Sequence, residues 1–313
     1  MPNTRWVSYK SYSGYVTTGG PKIDQPVNSG LHIDRAVYLS GQLEAGSWGT
    51  VQGYDGCAMS GGILHNIAVS PKDLSQGTFF ALLREISVRA KAEFAPIDAE
   101  FKRLGWTISA DGKLRLTATG ALVSGETIRL ELSGSAKGAV LKTGPDSNRA
   151  RVWAERFFTL FSAPGTYAAQ SDYAASWLAD GNKGDELAVY RKFSTGGVAT
   201  FLVKHPGDSI ISLPVDLLPV EVELAMCVYH SFSVNAPGAA KAVLSPILGR
   251  LDKLTPAGFA TALIRGLGKK QYGNWLDSPG DGSNRYDKTR KAVWARSDLW
   301  NGPMAKSLMP KDL

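Results

Sequence analysis

Glycine recurs every few residues between positions 46 and 62, interleaved with residues that favour β-strands. Because glycine adopts backbone conformations that other residues avoid, such a run favours tight turns between short strands. Asp55-Gly56 within it is a strong signal for a hairpin turn. The sequence therefore predicts a glycine-rich hairpin within residues 47 to 69.

A helix is predicted directly before this hairpin. Apolar side chains recur at nearly helical spacing at Leu31, Ile33, Ala36, Val37 and Leu43. The pattern ends near Ala45-Gly46, where glycine can cap the helix. Glu44 would then lie in the last helical turn, immediately ahead of the hairpin.

The rest of the chain predicts an α+β fold that is mainly α. Residues 1 to 28 are expected to form an irregular or extended arm, and residues 29 to 313 one composite domain. Ser70-Pro71 begins a predicted helix, which continues with helical apolar spacing at Phe79, Leu82, Leu83, Ile86, Ala90 and Phe94. Residues 104 to 133 predict a β-rich insertion, with strands at 106–108, 114–117 and 127–132 around the Asp111-Gly112 turn. Further helices are predicted at 148–161, 220–234, 239–251, 256–267 and 286–296, while 164–218 receive no assignment. The first of these has helical apolar spacing at Val152, Trp153, Phe157 and Leu160.

Composition limits the classes of partner. Lysine and arginine number 35 against 28 acidic residues, so a net charge of +7 favours anionic partners such as the bacterial cell wall. No motif indicates nucleic-acid binding, and no apolar run is long enough to insert into a membrane. The first residues do not resemble a secretory signal, which predicts synthesis in the cytoplasm without export by that route. Two cysteines and four histidines at wide spacing predict neither a metal site nor a cofactor.

Glu44 suits general acid catalysis on a glycosidic bond. Such an acid must hold its proton near neutral pH, and both a helix carboxy terminus and apolar neighbours raise a carboxyl pKa. A facing carboxylate or hydroxyl must then stabilise positive charge or place a water, and Asp55 and Ser60 are available on the hairpin. Two interpretations of Asp55 stay open at this point, because an Asp-Gly pair also serves simply to make the turn.

The order Glu44, Asp55, Ser60 resembles the glutamate, aspartate and threonine of phage-type lysozymes. The intervals between these residues differ from those common in that family, and the resemblance covers about residues 30 to 70. It implies a lysozyme-like fold with a small β-hairpin beside the catalytic glutamate. A second segment, residues 229 to 238, resembles a stretch that lines the glycan groove opposite the acid in some wall-degrading enzymes.

These resemblances imply a set of sugar-binding residues. Aromatic faces are expected to stack on sugar rings, and polar side chains to bind hydroxyl or N-acetyl groups; the candidates are Trp48, Tyr54, His65, Tyr229, His230 and Asn235. Cys57 and Cys227 are interpreted as buried thiols, with a disulfide as the alternative outside a reducing compartment.

The sequence thus predicts a muramidase that cleaves between N-acetylmuramic acid and N-acetylglucosamine in peptidoglycan. A lytic transglycosylase that needs Glu44 alone is the first alternative. A non-catalytic glycan-binding or particle-associated structural protein is the second. Expected partners are the glycan strands, with a delivery particle or an immunity protein also compatible. The expected place of action is the cell wall, reached after release or injection.

Overall fold

A computed structural model describes residues 2–9, 12–23, 37, 41, 45–53, 56–134, 145–179, 237–255, 258–259, 261–263 and 266. The chain divides into two compact units, one of residues 1–27 with 45–174 and one of residues 28–44 with 175–313. Most described residues belong to the first unit. The predicted single composite domain stays a prediction.

A five-stranded antiparallel sheet forms one part of the first unit. Its strands are β1 (Asn3–Tyr9), β2 (Tyr12–Thr18), β3 (Val51–Gln52), β4 (Ser60–Gly61) and β5 (Asn66–Ile67), paired in that order. Within the predicted amino-terminal arm, residues 3–9 and 12–18 are therefore paired strands, with Trp6 opposite Tyr15. Val16 and Thr17 pair with β3, so this hairpin extends the sheet that contains the predicted glycine-rich hairpin.

The predicted hairpin is confirmed, but its turn is longer than an Asp-Gly pair alone would make. Gln52 pairs with Ser60, so residues 53 to 59 connect the two strands. A two-residue turn would instead pair the residues that directly flank it. Gly53 donates its N–H to the carbonyl of Tyr15 at 2.8 Å, which ties the start of this connection to β2.

Two helices follow where one was predicted. They are α1 (Phe79–Arg89) and α2 (Lys91–Arg103), separated at Ala90, whose φ of −127° and ψ of 58° break the helix. The predicted start at Ser70-Pro71 is wrong. Those residues form a turn in which Asp73 Oδ1 accepts hydrogen bonds from the backbone N–H and the hydroxyl of Ser75. The predicted apolar stripe is confirmed, with Phe79, Leu82, Leu83, Ile86, Ala90 and Phe94 all buried.

Two of the three strands predicted in the β-rich insertion are present. Strands β6 (Trp106–Ile108) and β7 (Leu114–Leu116) pair around the Asp111-Gly112 turn, where Gly112 has a φ of +70°. The third predicted strand is instead helix α3 (Gly125–Ser133). Ser124 caps it by accepting the N–H of Thr127 at 3.1 Å, and Gly134 ends it with a φ of +74°.

Helix α4 (Pro145–Ser162) confirms the helix predicted at 148–161 and supplies much of the core. Trp153, Phe157 and Phe161 lie successively along its buried face, and Phe79 packs edge-on against both phenylalanines. Val152, which the pattern placed in the stripe, is 42% exposed. A 3₁₀ turn at Pro164–Thr166 leads into helix α5 (Tyr167–Ala179), within the interval that had no assignment.

In the second unit, helix α6 (Pro237–Leu248) and a 3₁₀ turn (Leu251–Lys253) occupy the helix predicted at 239–251. Residues 258, 259, 261–263 and 266 are helical, as predicted for 256–267. The helices predicted at 220–234 and 286–296 lie outside the described residues. The described chain is α+β, and none of its helices is both long and apolar enough to span a membrane.

Candidate functional site

The structure describes three of the nine predicted site residues, namely Trp48, Ser60 and His65. The other six lie outside the described residues; they are Glu44, Tyr54, Asp55, Tyr229, His230 and Asn235. Cys57 is half-buried in the 53–59 connection, while Cys227 also lies outside the described residues. The described part of the candidate site is therefore the chain that follows Glu44.

The turn after Glu44 is held by several hydrogen bonds. Gly46 has a φ of +69°, the left-handed conformation expected of a glycine at a helix end. The Thr50 hydroxyl donates to the carbonyl of Ala45 at 2.9 Å and lies 2.6 Å from the Ser47 hydroxyl. Trp48 donates its N–H to the carbonyl of Pro21 at 3.0 Å. These hydrogen bonds hold residues 45 to 50 together and tie them to Pro21.

Trp48 is a core residue rather than a surface for a sugar ring. Its side chain is 3% exposed, and its ring stacks on Tyr167 at 4.3 Å between centroids and 10° between planes. A sugar ring needs an open aromatic face, which a side chain buried to this extent does not offer. The expected role of Trp48 in substrate binding is corrected on this ground.

Gly49 explains how helix α4 comes so close to this turn. A β-carbon at Gly49 would lie 1.9 Å from the Ser162 hydroxyl and 3.2 Å from the Phe158 ring. Any larger residue would therefore require the side chains of Ser162 and Phe158 to shift. Glycine at this position, one of the signals for a hairpin, thus serves a close helix contact.

Ser60 lies in the sheet and not at its edge toward solvent. It pairs with Gln52 on one side and Ile67 on the other, and it is 2% exposed. A hydroxyl that orients a catalytic water must reach that water. The expected water-orienting role of Ser60 is therefore corrected to a structural position in β4.

His65 lies in the turn between β4 and β5. It is half-buried, has a φ of +47° and donates its N–H to the carbonyl of Gly62 at 3.0 Å. The neighbouring Asn66 is 6% exposed, and its Nδ2 has no hydrogen-bond partner within the described chain. Two polar side chains thus lie next to each other here, His65 at the end of the turn and Asn66 at the start of β5, and only His65 was expected from the sequence.

Arg129 is a buried cation that the sequence reasoning missed. It lies on the inner face of α3, is 5% exposed, and donates from Nη2 to the carbonyl of Gly56 in the 53–59 connection. Its Nε makes no hydrogen bond to the described residues. Helical spacing would have predicted its burial, because Gly125, Arg129 and Leu132 lie on one face when 125–133 is treated as a helix. The incorrect strand assignment concealed it.

Within the described ranges, no group of three or more histidine, cysteine or acidic side chains is placed to hold a metal ion. A groove of about 320 Å³ lies between α2 and β6. It carries one cation and one anion, Lys91 and Asp98, above Phe94 and Phe101. Asp98 already forms an ion pair with Lys102 at 2.6 Å, so the groove offers no free acid for catalysis.

Comparison with known proteins adds no relative to this description. No protein-family model matches the sequence, and no curated protein or solved structure matches it.

Proposed function

We propose that this protein degrades peptidoglycan as a glycosidase, with Glu44 as the acid that protonates the leaving oxygen. The observation that carries the proposal is the order of elements around this glutamate. Glu44 directly precedes a left-handed glycine turn at Gly46, and antiparallel strands β3 to β5 follow at once in an α+β fold. This order along the chain, an acid followed by a small sheet, is what supports the proposal.

The proposed acid is followed directly in the chain by the hydrogen-bonded turn at 45–50. Ala45, the neighbour of Glu44, has its carbonyl bound by the Thr50 hydroxyl. General acid catalysis depends on placing the proton donor within hydrogen-bond reach of the leaving oxygen. An acid in the last turn of the predicted helix, directly ahead of such a turn, suits this requirement.

Cleavage between N-acetylmuramic acid and N-acetylglucosamine by hydrolysis is the first form of the proposal. Asp55 is then the group that supports the developing positive charge or helps to place water. Ser60 and Trp48 are no longer included, because both side chains are buried. Delivery to the wall by a particle, or release by another protein, belongs to the same proposal.

A lytic transglycosylase is the second form, and the burial of Ser60 favours it. Hydrolysis needs a positioned water, whereas in a transglycosylase the sugar's own hydroxyl closes an anhydro ring. With Ser60 buried, hydrolysis loses one of the groups expected to position that water. Glu44 as a single acid and base suffices for this second reaction.

Digestion of purified peptidoglycan by the wild type and by Glu44→Gln tests the proposal. Mass spectrometry of the products should show reducing muramic ends for hydrolysis or anhydro ends for transglycosylation. Glu44→Gln should abolish both, because the amide has no proton to give. Glu126→Gln is the matched control, since Glu126 is exposed at the first turn of α3 and should leave the products unchanged.

Equal solubilisation by wild type and Glu44→Gln would refute the catalytic assignment and favour the non-catalytic glycan-binding alternative. Amidase or peptidase products would refute both glycosidase forms. Asp55→Asn separates the two roles of that residue. Loss of glycan cleavage with an unchanged fold would support a direct catalytic role for Asp55. Loss of stability with unchanged cleavage products would support a role in the turn.

A further inference from the structure

The groove between α2 and β6 is formed within one continuous stretch of the described chain. Its described lining comes from positions 87 to 108, all of which belong to the first compact unit. Its volume of about 320 Å³ is at the lower end of the range for sites that bind small molecules. This groove is therefore far along the chain from the proposed catalytic glutamate.

The floor of the groove is apolar and comes from both elements. Phe94 and Phe101 lie two turns apart on α2, and Ile108 lies on β6. Both phenylalanines belong to the buried core, and Phe101 packs against the rings of Trp106 and Trp153, so the floor is held in place by the core. Such a floor suits the hydrocarbon part of a ligand, because removing hydrocarbon from water is favourable.

The charges on the rim of the groove favour a negative ligand. Lys91 and Asp98 are the charged residues of the described lining, and Lys91 is exposed. The Asp98 carboxylate is already bound by Lys102, whose Nζ lies 2.6 Å from Oδ2. Because this pair is neutral as a whole, the described rim carries the single positive charge of Lys91. A ligand with one negative group complements that charge.

The start of α2 adds to this preference at the Lys91 end of the groove. Lys91 is the first residue of α2, and no side chain caps that helix start. The first N–H groups of a helix carry partial positive charge and lack acceptors within the helix. Glu93, the acid of the same turn, lies against Gly165 in the 3₁₀ turn and not in the described lining. A negative group is thus favoured at this end and hydrocarbon along the floor beyond it.

We propose that this groove binds a small amphipathic carboxylate, with the carboxylate at Lys91 and the hydrocarbon part along Phe94 and Phe101. The ligand class follows from the order of groups along α2, which is a cation, an apolar floor and then a carboxylate that already has a partner. A cationic ligand is disfavoured, because Lys102 occupies Asp98 and Lys91 repels a second cation. This site is independent of the proposed glycan cleavage, since it includes none of the residues assigned to that reaction.

NMR titration of the full-length, ¹⁵N-labelled protein tests the site with octanoate, octanol and octylamine, which share one hydrocarbon length and differ in charge. At constant ionic strength, octanoate should produce saturable shifts of backbone amide signals within residues 87 to 108. Octanol should bind about fivefold more weakly, because it keeps the hydrocarbon contact but lacks the charge, and octylamine more weakly still. Absence of a saturable shift with octanoate, or equal affinity for the three ligands, would overturn the proposal.

Two substitutions separate the charge from the floor. Lys91→Met should lower the octanoate affinity about fivefold and leave the octanol affinity unchanged. Ala95→Trp should abolish binding of both, because Ala95 is exposed in the lining and a large side chain there fills the groove. Lys72→Met, which removes an exposed lysine outside the described lining, is the matched control and should bind as the wild type does.

Equal loss of octanoate binding in Lys72→Met and Lys91→Met would refute a specific role for Lys91. Retained binding in Ala95→Trp would refute the groove as the site. Lys91 and Ala95 are both exposed, so both variants are expected to fold. The wild-type ligand series decides the question without them, and none of these measurements depends on glycan cleavage.

Discussion

The substitution Gly125→Ala adds one methyl group, which has two opposite effects on the free energy of unfolding. It raises helix propensity, but it also crowds the neighbouring chain. Gly125 is buried in the first turn of α3, where alanine normally stabilises a helix by about 1 kcal/mol relative to glycine. A β-carbon at this position would, however, lie 1.9 Å from the carbonyl oxygen of Leu74 and 3.0 Å from the Leu74 β-carbon. The atom in the way is backbone, so no side-chain rotation can relieve the overlap.

The packing effect should exceed the propensity effect. Carbon and oxygen without a bond between them need more than 3 Å, so relief requires a backbone shift of about 1 Å. Leu74 resists this shift because its N–H is bound to the Ser70 carbonyl at 3.1 Å, and the Ser124 cap holds the start of the helix. Overpacking of this kind costs about 1–3 kcal/mol. We therefore expect a net destabilisation of about 1–2 kcal/mol despite the gain in helix propensity.

Urea unfolding followed by circular dichroism measures this free energy, with the slope checked to confirm an unchanged transition. The control pair is Leu130→Ala and Leu130→Gly in the same helix, where Leu130 is 46% exposed. There alanine should exceed glycine in stability by about 1 kcal/mol. Gly125→Ala at or above wild-type stability would refute the close approach of Leu74 and α3.

Two further predictions concern polar contacts of the β6–β7 region. Gln76→Ala should lower the free energy of unfolding in urea by about 3 kcal/mol, because Gln76 donates to the carbonyls of Leu114 and Val123 and accepts from the Leu114 N–H. A decrease below about 1 kcal/mol would contradict the contribution of these three hydrogen bonds. Hydrogen bonds from the Ser109 hydroxyl and then Arg115 lower the pKa of Asp111 from 3.8 to about 2. Since the folded pKa lies below the unfolded one, this stabilisation is complete above pH 4 and is lost as pH falls through about 2. Thermal midpoints of wild type and Asp111→Asn should thus differ at pH 6 and converge near pH 2, and a constant difference would contradict this assignment.

Local sequence determined the elements whose signals lie within a few residues of each other. The apolar spacing from Phe79 to Phe94 predicted the buried face of α1 and α2, and Asp111-Gly112 predicted the turn between β6 and β7. The α4 helix followed from the spacing of Trp153 and Phe157 in the same way. These signals need no distant partner, because helical periodicity and turn preference act through neighbouring residues.

Local signals that compete with each other were less reliable. Residues 127 to 132 alternate polar and apolar side chains, which suggested a strand, yet Ile128 and Leu132 also fit one helical face. The cap at Ser124 and the glycine at Gly134 favour the helix. The Ser70-Pro71 pair shows the reverse case, in which a good helix start is used for a turn because Asp73 binds Ser75 instead.

The sequence alone nominated Glu44, a glycine turn after it and an antiparallel hairpin, all from neighbouring residues. Only the tertiary structure decided which side chains around them are open to a ligand. Trp48 is buried because Tyr167 stacks on it, and Gly49 is needed because Ser162 approaches it, although both partners lie more than 100 residues away in the chain. Arg129 likewise meets Gly56 only when α3 packs beside the hairpin. Burial depends on such distant contacts, which no local pattern encodes.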